Sequence, residues 1–109
     1  IDPQLGPVVS IGLGGILVEM LKDVSVRPAP VTTGEALEMI NELRGRAYLD
    51  GFRGGPPRDI QALADAVHRL SLVAAANSDW LQSLEINPFA LAADGEGGMA
   101  LDCVMTLKE

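Results

Sequence analysis

Pro28-Ala29-Pro30 divides this chain into two kinds of sequence. Proline donates no backbone hydrogen bond and fixes φ, so two of them one residue apart end a sheet ladder. Before the triplet the sequence is apolar and β-branched. Residues 7–11 (PVVSI) read as a strand, Gly12-Leu13-Gly14-Gly15 breaks it, and residues 16–21 (ILVEML) and 24–27 (VSVR) continue in extended style around Lys22-Asp23. After the triplet, Thr32 and Glu35 stand at capping-box spacing, each side chain placed to satisfy the other's free backbone amide. Ala36, Leu37, Ile40 and Leu43 then form the apolar stripe of a helix that Gly45 would stop.

Residues 51–57 (GFRGGPP) read as a loop by their glycine and proline content. Asp59 is placed to cap a second, longer helix running to about Ala76, with Ile60, Leu63, Ala64, Val67, Leu70 and Leu72 on its buried side. His68 and Arg69 lie off that stripe, and His68 reads as a solvent-facing helix residue. Two extended runs follow, 81–91 and 99–107, joined by the turn Asp94-Gly95-Glu96-Gly97-Gly98, the signature of a hairpin with a longer loop. The order strands, helix, helix, strands predicts one α+β domain over residues 1–109: a two-layer sandwich with the helices packed on one face of a largely antiparallel sheet.

The chain is long enough for one modest core, and 48% hydrophobic residues exclude a disordered segment. A formal charge of −7 argues against a nucleic-acid binder, which needs a basic patch. No apolar run reaches the roughly 18–20 residues that cross a bilayer. Cys103 alone can form neither an internal disulfide nor a cysteine zinc cluster, and reads as a small core residue in a reducing cytoplasm. Ile1-Asp2-Pro3-Gln4 lacks an initiator Met and a basic leader, which gives the expectation of a piece of a longer chain.

Gly12-Leu13-Gly14-Gly15 invites a nucleotide-binding reading, but Leu17 stands where the dinucleotide fingerprint needs glycine, and no Gly-Lys-Ser/Thr follows. The last hairpin is more informative. Leu84 and Ile86 share one strand face and Glu85 and Asn87 the other, yet beyond Pro88 the apolar phase flips to Phe89 and Leu91. Such a flip implies a bulge or a break in pairing. On the partner run, Met99, Leu101, Cys103 and Met105 form the apolar face, opposite Ala100, Asp102, Val104 and Thr106. Asn87 and Asp102 therefore point away from the apolar face on neighbouring strands, with Cβ atoms within roughly 5–8 Å if paired across this turn. Two hard oxygen donors at that spacing suit Mg²⁺, which is held by one or two protein ligands plus substrate phosphates. A solvated hairpin face with a turn-forming Asn-Pro is the alternative, and residue spacing alone leaves both open.

The stretch LGPVVSIGLGGILVEMLKDVSVRPAPVT, followed in order by EALEMINELRG, GFRGGPPRDIQALADAVHRLS and LEINPFAL…DGEGGMALDC, resembles the carboxy-terminal half of the ATP-grasp domain of ADP-forming acyl-CoA synthetases. The Glu-Ile-Asn-Pro…Asp hairpin is also similar to that of succinyl-CoA synthetase β subunits. The resemblance implies Mg²⁺ and ATP/ADP as cofactors, with Asn87 and Asp102 holding the metal and Glu19 and Arg27 near the nucleotide phosphates. Arg53 matches a family Arg-Gly without an assigned role. The resemblance further implies a full enzyme that converts a carboxylic acid, CoA and ATP into acyl-CoA, ADP and phosphate through a phosphohistidine. The phosphohistidine, the other ATP-grasp half and the CoA-binding region would lie elsewhere in the same or a partner chain, and this lobe alone would be inactive and self-associating. Where the family reads Asp-Ala-Arg, this chain has Asp102-Cys103-Val104. That departure keeps a second expectation in play, a non-catalytic regulatory or binding lobe in a synthetase–acyltransferase fusion.

Overall fold

The computed structural model describes residues 6–12, 23–50, 55–86 and 89–108. The β-branched runs before the proline triplet form β1 (Val8–Gly12) and β2 (Val24–Pro28), paired antiparallel with Val9 opposite Arg27 and Ile11 opposite Ser25. The extended stretch expected at 16–21, with Glu19, lies outside the described residues, as does Arg53 in the expected loop.

Helix α1 (Thr33–Glu42) starts on the capping box read from the sequence: the Glu35 amide donates to Thr32 Oγ1 at 3.0 Å and the Thr32 amide to Glu35 Oε1 at 3.2 Å. Its buried stripe is Ala36, Met39 and Ile40, continued by Leu43; Met39 belongs to it and Leu37 sits at its half-buried edge. Gly45 does not stop this helix. Leu43 already turns to extended backbone, and Asp23, buried, takes the next two amides, Arg44 N–H at 2.6 Å and Gly45 N–H at 2.9 Å. Those bonds start a 3-10 helix (Arg44–Asp50), in which Gly45 is an interior residue.

Helix α2 (Ile60–Ala76) is capped by Asp59 as expected, through the Ala62 amide at 3.0 Å. Its buried residues are Ala64, Val67 and Ser71. Leu72, assigned to the buried side on sequence, is 46% exposed. The stripe advances by four from Val67 to Ser71, and a further residue rotates about 100° out of it. His68 is a second correction, because it borders the stripe and is half-buried rather than solvent-facing. Its Nδ1 lies 2.6 Å from the Val31 carbonyl, which can only accept, so Nδ1 carries the proton. Ser71 Oγ accepts the Val31 amide at 2.9 Å and donates to the His68 carbonyl at 2.6 Å. Two side chains of α2 thus satisfy both polar groups of the buried Val31 backbone, just past the cis Ala29-Pro30 peptide.

Val9, Val31, Ala36, Met39, Ile40, Leu49, Ala64 and Val67 form one aliphatic core, where α1 and α2 pack on each other and on β1 and β2. The described strands are all antiparallel, in three two-stranded ladders: β1–β2, β3 (Leu81–Ile86) with β6 (Cys103–Leu107), and β4 (Phe89–Leu91) with β5 (Gly98–Ala100). The last two ladders are one long hairpin interrupted in the middle. This is the expected α+β arrangement of helices against antiparallel strands. The outer strand, expected to bury one apolar face, buries neither: Met99, Leu101, Val104, Met105 and Leu107 are all more than half exposed, and Cys103 is exposed as well.

The hairpin turn is tied to the start of α2 by polar contacts. Asp59 N–H donates to the Ala92 carbonyl and Asp94 N–H to the Pro57 carbonyl, both at 2.9 Å, and Arg58 bridges to Ala93. While Asp59 Oδ1 caps α2, Oδ2 accepts the Gly97 amide at 2.8 Å. The Ala62 amide first, then those of Gly97 and Gly95, hold the Asp59 carboxyl below the usual carboxylate range, against the opposing effect of burial.

A carboxyl with a depressed folded-state pKa stabilises the fold above its unfolded value of about 3.9 and loses that contribution as pH falls through the folded value. Thermal melts from pH 7 to 2 should therefore show wild type losing stability more steeply below about pH 4 than Asp59→Asn, the two converging at the acid end. Parallel curves would contradict this. In the core, Ile40→Ala should cost about 2–5 kcal/mol by denaturant titration, against less than ~0.5 kcal/mol for Met105→Ala on the exposed strand.

Candidate functional site

The interruption of the hairpin is where the sequence places its metal ligands. Ile86 pairs with Cys103 on one side and Phe89 with Ala100 on the other. Leu101 and Asp102 lie between β5 and β6, and residues 87 and 88 lie outside the described residues. The described register shift of this hairpin falls between Leu81 and Ser83, and the described pairs on either side of residues 87–88 hold the same register. The apolar phase nevertheless flips as expected: Leu84 and Ile86 are half-buried before the break, Phe89 and Leu91 after it.

Asp102 is exposed, and its Oδ1 accepts the amide of Cys103 at 2.8 Å. This local bond holds one oxygen against the backbone, and Oδ2 takes no hydrogen bond from the described residues. Two glycines shape the turn that precedes it. Gly97 has φ +85°, the left-handed region that favours glycine, and a Cβ on Gly98 would come 2.5 Å from Phe89 Cε1. The Phe89 ring thus lies against the start of β5, where any larger residue would push it off.

Arg27 sits on β2, engaged within the fold. Its Nη2 forms an ion pair with Glu42 Oε1 at the end of α1, and its Nη1 reaches the Val26 carbonyl at 2.9 Å and Ser25 Oγ at 3.3 Å. Ser25 Oγ in turn donates to Glu42 Oε2 at 2.9 Å. The guanidinium, followed by the Ser25 hydroxyl, lowers the Glu42 carboxyl below its ordinary range. Sequence reasoning missed Ser25 and Glu42. The alternation of β2 offered a signal for Ser25, two residues from Arg27 on the same strand face; a lone acid at a helix end offers none for Glu42.

Asp102 and Arg27 share no hydrogen-bond partner, and Asn87 and Glu19 lie outside the described residues. Among the described residues, no three His, Cys, Asp or Glu side chains gather as a metal centre. A metal at Asp102 therefore needs ligands from elsewhere, and an exposed carboxylate with one open oxygen fits an ion also held by substrate phosphates. A cleft of about 110 Å³ between β1, α2 and β3, walled by Val9, Leu70, Leu81 and Leu84, is below the roughly 300–1,000 Å³ of small-molecule sites. Among the described residues no helix is long and apolar enough to cross a membrane.

Comparison with known proteins places this geometry in a family. The family model described as ATP-grasp domain matches residues 1–107. The chain is 38% identical over 107 residues to the β subunit of ADP-forming acetate–CoA ligase II of Pyrococcus furiosus, covering 98% of this chain and 45% of that protein. It is 44% identical over 106 residues to the β subunit of ligase I of the same organism, covering 97% and 44%. A solved structure of Ca. Korarchaeum cryptofilum dinucleotide-forming acetyl-coenzyme A synthetase 1, in complex with coenzyme A and Mg-AMPPCP, superposes with TM-score 0.89 at 37% identity over 98% of this chain and 49% of that one. A Pyrococcus horikoshii crystal structure superposes with TM-score 0.91 at 36% identity, covering 98% and 45%. The chain thus spans less than half the length of these relatives, and the match of the ATP-grasp model to residues 1–107 shows that it belongs to the ATP-grasp family, with ADP-forming acetate–CoA ligases among the proteins it is similar to.

Proposed function

We propose that residues 1–109 form the metal- and nucleotide-phosphate-binding lobe of an acyl-CoA synthetase of the NDP-forming type. The protein carrying it would convert acid, CoA and ATP into acyl-CoA, ADP and phosphate through a phosphohistidine outside these residues. The observation that carries the reading is the match to ADP-forming acid–CoA ligases over nearly the whole chain, at up to 44% identity. The hairpin adds support. Its pairing holds one register on either side of residues 87–88 and 101–102, which favours Asn87 as the neighbour of Asp102 across the break.

In this reading Asn87 and Asp102 hold Mg²⁺, which neutralises charge between the nucleotide phosphates when bound. Glu19 and Arg27 stand near those phosphates. Arg27 is already oriented by Ser25 and Glu42, so it would meet a phosphate without first being ordered. The other ATP-grasp half and the CoA-binding and ligase region, on the same or a partner chain, supply the rest of the site, with CoA and a carboxylic acid as substrates. The working compartment is the cytoplasm.

One observation favours a second reading, a regulatory lobe that binds nucleotide without turnover. Val104, 54% exposed, stands where the resemblance leads one to expect a basic residue.

Asn87→Ala and Asp102→Ala, each made in the full-length protein, should abolish Mg-ATP-dependent acyl-CoA formation measured by CoA consumption. Unchanged turnover in both would sink the proposal, and ATP binding by titration without acid-dependent ADP release would favour the regulatory lobe. The chain by itself should self-associate through its bare apolar strand, read as a concentration-dependent mass in light scattering; a monomer at high concentration would contradict this.

A further inference from the structure

We propose that Asp59 is a positioning residue for the hairpin that carries Asp102; this rests on the reading of Asp102 as a metal ligand. Asp59 lies on neither strand of that hairpin, and the metal reading does not use it. Strands β5 and β6 are exposed along their whole length, so burial of apolar surface does not fix them to the body of the chain. The turn between β4 and β5 is fixed by polar contacts instead. Asp59 N–H to the Ala92 carbonyl and Asp94 N–H to the Pro57 carbonyl use backbone groups, which any side chain at these positions would allow. The Asp59 carboxylate differs, because one rigid group spans two elements: Oδ1 takes the Ala62 amide of α2 at 3.0 Å and Oδ2 the Gly97 amide of the turn at 2.8 Å. It is 7% exposed, so water does not compete freely for either bond. Rotation of the turn against α2 must break one of them. Gly97 leads directly into Gly98, whose backbone lies against the Phe89 ring; that contact belongs to the Phe89–Ala100 register, and Asp102 follows two residues after Ala100. One carboxylate therefore sets the turn, the turn sets the register, and the register places the metal oxygen.

Two substitutions separate this role from simple helix capping. Asp59→Ser keeps a capping hydroxyl for the Ala62 amide but is too short to reach Gly97. Asp59→Asn keeps the length but replaces one acceptor oxygen by a donor. In the full-length protein, calorimetric titration of Mg²⁺ in the presence of ADP should show both weakened by about tenfold, the lower end of what outer-shell partners of a metal cost. Amide exchange at Gly97 and Ala92 should quicken, and Mg²⁺ affinity of Asp59→Ser should fall by more than its loss of melting temperature accounts for. Titrations are run well below each variant's midpoint, so a loss of stability does not mask the result. Faster exchange at Gly97 with unchanged Mg²⁺ affinity in both variants would overturn the proposal, since the turn would then be free of the site. Loss of Mg²⁺ affinity in Asp59→Ser only in proportion to a fall in melting temperature would overturn it too. Asp102→Ala is the control for the underlying reading: unchanged Mg²⁺ affinity there refutes the metal assignment itself, whatever the Asp59 variants do.

Discussion

The Asp59 carboxylate joins the two parts of this structure that differ most. On one side is an aliphatic core built from α1, α2 and the first two strands, with Met39, Ile40 and Ala64 shielded from water. On the other is a hairpin whose outer strand buries nothing. A helix N-terminus presents amides without partners, and a turn of positive-φ glycines does the same. A two-oxygen acceptor placed between them satisfies both at once, which is why a residue that looks like an ordinary cap organises the relation between core and hairpin.

A second junction of the same kind holds the proline-rich crossing. Val31 is buried immediately after a segment that can offer a sheet few donors, and unpaired backbone groups there would cost about 1–3 kcal/mol each. Ser71 and His68 answer them from α2. Asp23 does likewise for the amides beyond α1. Among the described residues no buried side-chain polar atom lacks a partner. Among the described residues, buried Asp23, Asp59 and Ser71 thus serve the backbone at its irregular points, while buried Ser25 joins Arg27 to Glu42.

What could be read from the sequence follows from this division. Local rules act within a few residues, so the capping box at Thr32, the cap at Asp59, the strands leading to Gly12 and to Pro28 and the hairpin were legible. Long-range polar capture was not. Asp23 ends α1 from 21 residues away, so Gly45 was misread as the stop. His68 was read as solvent-facing because the Val31 carbonyl, 37 residues distant, gives no local signal. Leu72 was misplaced because a polar residue, Ser71, occupies the buried position that hydrophobicity alone assigns to a leucine. At the candidate site, alternation located Asp102 on the polar face, but periodicity could not show that the opposite face would be bare as well. Arg27 could be named, while Ser25 and Glu42, which orient it, came only from the fold.

The bare outer strand has a consequence for how the molecule opens. Local unfolding is easiest where few apolar contacts are lost, and β5–β6 loses almost none. Among the described residues, the segment that bears Asp102 therefore opens at lower cost than the α1–α2 core. Any ligand that holds this strand in place adds to its protection in proportion to the logarithm of ligand concentration over dissociation constant. Occupancy of the site and order in the hairpin are then two readings of one equilibrium.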